Sequence, residues 1–147
     1  MITSFKSRRL GRLSAVQALY QLEQRQTTTA AVIAEFAHHR LTDPGEGPID
    51  EALFEGIVEG ASEHKEALDA SITSVLADAW RIERLDSVLK AILRAGFYEL
   101  EYALATPAGV IINDYVEITK QFFDGREPAF VNGALDSGGK LLRKESL

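Results

Sequence analysis

Apolar positions recur every three or four residues along nearly the whole chain, and no segment alternates convincingly as a half-buried strand, so the pattern predicts an all-α protein. Ser4 or Thr3 can cap a first helix running to about Glu23, and Thr28 or Thr29 a short second one with Val32, Ile33 and Phe36 on its apolar face. The stretch LTDPGEGPID, with two prolines and two glycines, reads as a loop. Asp50 is a good N-cap for a long helical stretch that points Leu53, Phe54, Ile57, Val58, Leu68, Ile72, Val75 and Leu76 inward and breaks once before Trp80. Gly56 and Gly60 cost helix propensity there, which marks them as points of close packing. The most apolar helix starts near Leu85 or Asp86, carries Leu89, Ile92, Leu93, Phe97 and Leu100, and ends before Thr106-Pro107. GVIIN then reads as a short extended lead-in, with Asn113 capping a helix through Val116 and Phe122 to Asp124, and Gly125 ending it. Glu127-Pro128 opens a last helix with Phe130, Val131, Leu135, Leu141 and Leu142 as core candidates, which Gly138-Gly139 is expected to weaken or end early. The short connections and the absence of a repeat fit one compact single-domain bundle.

Composition narrows the class. With 147 residues and 46% hydrophobic content the chain can bury about two thirds of its unfolded surface in a single core. The absence of cysteine excludes a disulfide framework, a thiolate metal site and a cysteine nucleophile, and suits a reducing interior. The first twenty residues are basic and then amphipathic, which is not a secretory signal, and no apolar run reaches the roughly 20 residues of a membrane span. A cytoplasmic location is the expectation. The formal net charge of -6 hides an asymmetry: Lys6, Arg8, Arg9 and Arg12 crowd the first twelve residues with no acid among them, whereas residues 41–80 hold ten acids against the single base Lys65. A basic terminus of this kind attracts a polyanion by local potential; the alternative is a solubilising helix end.

Enzyme chemistry finds little support. No phosphate-cradling G-x-x-x-x-G-K-S/T, dinucleotide G-x-G-x-x-G or zinc-binding H-E-x-x-H occurs. Glu35 and His38 have the Glu-x-x-His spacing of di-metal bundles, but His39 and His64 lack the matching glutamate, so a surface histidine pair is favoured and no metal is expected. Glu51, Glu55, Glu59 and Glu63 form a ladder on one helix face with nothing apolar to separate their acidities, and read as a solvated acidic face. On a helical wheel Arg8 and Arg12 stack one turn apart with Arg9 beside them, while Gln17 and Gln21 belong to a separate uncharged strip. The apolar arc of this helix is wide, which favours a core role for Tyr20 with its hydroxyl at the rim.

Four segments carry a family resemblance. RRLGRLSAVQALYQ (8–21) resembles the N-terminal signature of the NusB family of bacterial transcription antitermination factors, close to R-x-x-A-R-x-x-A-hydrophobic-Q-A-L-Y. VLKAILRAGFYEL (88–100) is similar to the family's V-x-x-hydrophobic-L-R-hydrophobic-A-hydrophobic-Y-E-L helix. IINDYVEITKQFFDG (111–125) and FVNGALD (130–136) resemble its I-N-E-A and F-V-N-G-V-L-D elements, and all four occur in family order.

The resemblance implies a bundle of about seven helices over residues 1–147, with the basic helix at about 4–24, that binds RNA without doing chemistry. Its implied partners are the boxA element of nascent transcripts, the small-subunit ribosomal protein NusE and the RNA polymerase elongation complex with other Nus factors. By motif match Arg8, Arg9 and Arg12 meet phosphates, Gln17 and Tyr20 belong to the RNA and partner surface, and Phe130 lies beside the RNA. Leu89 stands at a partner-facing position where the family often has glutamate; Asp114 replaces a glutamate and shortens its reach. Ala129 stands where a lysine often occurs, a contact for which nearby Arg126 can substitute. No cofactor is implied. Against this stand a helical protein-interaction module or homodimer that does not bind RNA, and an enzyme reading: RNA cytosine methyltransferases carry a similar helical domain ahead of a catalytic one, for which this length is expected to leave no room.

Overall fold

The computed structural model describes residues 4–42, 45, 47–77 and 81–143. Thr3, Trp80 and part of the LTDPGEGPID loop lie outside them. Among the described residues there are seven α-helices, one 3-10 turn and no strand: α1 (Phe5–Gln24), α2 (Thr29–Thr42), α3 (Glu51–Glu63), α4 (Lys65–Val75), the turn Ile82–Arg84, α5 (Ser87–Tyr102), α6 (Ala108–Phe122) and α7 (Glu127–Leu142).

The starts of α1, α3 and α5 follow local chemistry. Ser4 Oγ accepts from the Ser7 amide at 3.1 Å, Asp50 Oδ1 from Leu53 at 3.0 Å and Asp86 Oδ1 from Val88 at 2.7 Å, each satisfying an amide the first helical turn leaves without a partner. The expected break in the long helical stretch falls at His64, between α3 and α4. Helix α5 is the axis of the bundle. Leu89, all of Ala91–Phe97, Glu99 and Leu100 are buried, because α1, α3, α4, α6 and α7 all pack on it. Helix α1 in turn lies against α3, α5, α2 and α6. Each fully buried leucine, isoleucine or phenylalanine of this core contributes about 1.5–3 kcal/mol.

Three local expectations are corrected. The GVIIN stretch is helical: α6 starts directly after Pro107, whose carbonyl accepts from the amides of Val110 and Ile111, and Ile111, Tyr115 and Ile118 line its buried face at helical spacing. Gly138-Gly139 does not end α7, which continues to Leu142. A Cβ on Gly138 would stand 2.6 Å from the Phe97 ring, so the glycine lets α7 lie on α5. Of the pair in α3, only Gly60 is a close-packing point, with the Tyr98 ring in the space a Cβ would take, whereas Gly56 faces open space.

Candidate nucleic-acid interface

The basic run of α1 divides by depth. Lys6 is exposed and Arg8 half-exposed, and neither has a carboxylate partner among the described residues. Arg9 keeps an exposed edge but gives Nε and Nη2 to Asp114 Oδ1, at 3.1 and 2.9 Å. Arg12 points inward and is 2% exposed. Its guanidinium bonds Glu99 through Nε and Nη2, at 2.7 and 2.9 Å, and Asp114 Oδ2 through Nη1 at 2.7 Å. Burial opposes its charge, yet the hydrogen bonds and charge of Glu99 outweigh that cost and hold its pKa above the ordinary arginine value. Tyr115 completes the knot by donating its hydroxyl to Glu99 Oε2 at 2.5 Å. Burial and then the charge of Glu99 push the phenol well above its usual pKa, so it keeps the proton it donates.

The resemblance assigns Arg12 to an RNA phosphate, whereas the structure turns its guanidinium inward, with Nε, Nη1 and Nη2 each bonded to a carboxylate. Asp114, shorter than the glutamate of the family pattern, still reaches both Arg9 and Arg12.

Gln17 and Tyr20 come together at the surface. With Val16, Gln21, Phe36, Val88 and Phe122 they line a largely apolar hollow of about 340 Å³. Tyr20 is 39% exposed, so its ring is a wall of this hollow and not a core side chain. Leu89, assigned to the partner surface by the resemblance, is 7% exposed and packs in the core, while its neighbour Val88 lines the hollow. A second hollow, of about 460 Å³, lies nearer the N-terminus of α1 between Phe5, Lys6, Arg9, Leu10, Leu13 and Gln121. Arg126 and Phe130 line neither hollow. Arg126 is exposed just before α7, and Phe130 is half-buried against the core one turn later.

Periodicity did not single out Val88, Phe36 or Phe122 as a surface group, nor two further charged clusters. Glu23 at the far end of α1 accepts from Lys90 and Arg94, both at 2.9 Å, and Arg94 also grips Asp69 at 2.8 and 2.9 Å. Arg143 bonds the carbonyls of Glu99, Leu100, Ala103 and Thr106, closing the end of α5. The acidic ladder Glu51, Glu55, Glu59 and Glu63 is exposed throughout, as a solvated face requires, with Glu51 paired to Arg40. Among the described residues no group of three or more histidines or acids could hold a metal ion, and no helix is long and apolar enough to cross a membrane.

The sequence matches the NusB family over residues 9–139. The chain belongs to the NusB family. Transcription antitermination protein NusB of Sphingopyxis alaskensis is 46% identical over 144 residues, covering 95% of this chain and 97% of that protein. The NusB of Maricaulis maris is 47% identical over 142 residues, 94% of this chain and 89% of its own. Among solved structures, T. maritima NusB has a TM-score of 0.78 at 28% identity, covering 95% of this chain and 93% of that one. A chain from a crystal structure of antitermination factors NusB and NusE in complex with dsRNA also has a TM-score of 0.78, at 25% identity, covering 92% of this chain and 98% of its own. In this NusB-family chain the four signature segments fall on α1, α5, α6 and α7, and the Arg12, Glu99 and Asp114 knot joins the first three.

Proposed function

We propose that this NusB-family chain is a transcription antitermination factor that binds boxA-type single-stranded RNA together with NusE and helps RNA polymerase read through terminators, notably in ribosomal RNA operons. The observation that carries the proposal is similarity to NusB antitermination proteins along nearly the full length of both chains. The solved NusB and NusE complex with RNA supports the choice of partners. The surface suits the task. Lys6, Arg8 and Arg9 form an exposed cationic edge for phosphates, and Gln17 and Tyr20 offer an amide and a ring to unpaired bases or to the partner protein. Arg126 and Phe130 supply a second cation and aromatic from the start of α7. The protein acts as one RNA-binding domain over residues 1–147, an adaptor in the cytoplasm that joins RNA to the elongation complex and catalyses nothing.

The test is a titration of the chain with boxA RNA and a scrambled RNA, with and without NusE, at two salt concentrations. The expected result is weak binding alone and tighter, boxA-selective binding with NusE, weakening as salt rises because phosphate contacts release counterions. Binding of NusE or self-association without any RNA affinity would instead establish a protein-interaction module or homodimer.

A further inference from the structure

We infer that the hollow between the start of α1 and the end of α6 is a subsite for one unpaired nucleotide of the bound RNA, with Phe5 stacking on its base and Lys6 and Arg9 meeting its phosphates. The inference rests on the RNA-binding reading above and adds to it a residue outside the family signature segments. Phe5 is the most exposed large apolar side chain among the described residues, at 77%. It opens the first turn of α1 beside Lys6 and one helical turn before Arg9, and all three line a hollow of about 460 Å³. An exposed aromatic flanked by cations is the combination that holds single-stranded nucleic acid without reading its sequence, because every base has a face to stack.

The charge of the hollow favours the same occupant. No carboxylate lines it. The nearby acids are already engaged, Asp114 by Arg9 and Arg12 and Glu117 by Lys120. Arg9 uses Nε and Nη2 on Asp114, so its third nitrogen takes no part in that pair. Gln121 adds an amide able to meet a base edge. The hollow is formed by the same two helices as part of the proposed interface: Leu13 lies one turn before Gln17 on α1 and Gln121 is the chain neighbour of Phe122 on α6, where Gln17 and Phe122 line the Tyr20 hollow. A strand lying along α1 would pass from one hollow into the next.

The experiment compares wild type, Phe5→Ala, Phe5→Trp and Lys6→Ala, each with NusE present, for binding to a boxA RNA oligonucleotide extended by three unpaired nucleotides at either end. Phe5→Ala is expected to weaken RNA binding about tenfold without changing its salt dependence, since stacking releases no counterions. Lys6→Ala is expected to reduce the slope of log affinity against log salt by about 0.7. Phe5→Trp is expected to keep wild-type affinity, and its added fluorescence over the wild-type Trp80 signal should be quenched by RNA. Wild-type affinity in Phe5→Ala would overturn the subsite and leave the RNA-binding reading intact. Loss of NusE affinity in Phe5→Ala with RNA affinity unchanged would reassign the hollow to protein docking. No RNA binding by the wild-type protein would overturn both.

Discussion

Charge ties α1 down at both ends, but the two ties sit in different surroundings. Near its start Arg12 is held by Glu99, which is 1% exposed, and by Asp114, and Tyr115 closes the group from behind. Near its end Glu23 meets Lys90 and Arg94 at the edge of a cleft open to solvent, with Lys65 3.6 Å away. The ion pairs at both ends have similar lengths, from 2.7 to 2.9 Å at the shortest contacts, so distance does not distinguish them. Dielectric surroundings do. In the first cluster every charge depends on its neighbours, because water cannot replace a lost partner. In the second, water can take over part of each broken contact. An ion pair can thus fix a fold at one end of a helix and only trim its stability at the other.

Breaking each tie tests that contrast. Arg12→Ala should lower unfolding stability by about 3–5 kcal/mol in urea titration, because Glu99 is left charged and buried without a cation while Asp114 keeps only Arg9. Glu23→Gln should cost about 1–2 kcal/mol by the same measurement, since Arg94 keeps both bonds to Asp69 and solvent reaches the cleft edge at Lys90. A loss from Glu23→Gln equal to that from Arg12→Ala would erase the distinction. Acid sharpens it. The hydrogen bond from Lys90, reinforced by Arg94 against the cost of partial burial, holds the Glu23 carboxyl at about 2, down from 4.5. Because the folded-state value is depressed, this stability is present above about 4.5 and is lost as pH falls toward 2, so the wild-type advantage over Glu23→Gln should shrink across that window. Arg8→Ala, with no carboxylate partner to abandon, should change stability by less than about 0.5 kcal/mol. Its effect should appear in RNA titration, as a salt slope reduced by about 0.7.

What the sequence made legible follows from how far each signal reaches along the chain. Ser4, Asp50 and Asp86 act on amides two or three residues away, so their helix starts could be read directly. The start of α6 is hidden from local signals because Val110, Ile111 and Ile112 have strand-like side chains and Asn113 can cap a helix, whereas packing on α5 and α7 selects the helix from Ala108. Gly138 looks like a helix breaker until Phe97 is seen occupying the space beside it. Arg12 is the clearest case in the site. Its charge and its neighbours Arg8 and Arg9 suggest a surface patch, but the acids it binds stand 87 and 102 positions later, beyond any local periodicity. The one local hint was the wide apolar arc of α1, which leaves little of the helix for solvent. Tyr20 shows the converse: the same arc favoured a buried ring, yet its position beside Gln17 and Phe122 leaves it as the wall of an open hollow.

The long reach of the Arg12 contacts has a consequence for how the protein is made. The ribosome releases the basic N-terminal segment first, but the carboxylates that lock it emerge only after most of the chain, and Arg143, which seals the end of α5, comes later still. Contacts so distant in sequence close long loops, whose entropic cost must be met before the contacts stabilise the fold. The proposed RNA-binding edge therefore precedes, by 87 and 102 positions of chain, the buried carboxylates that hold Arg12 beneath it.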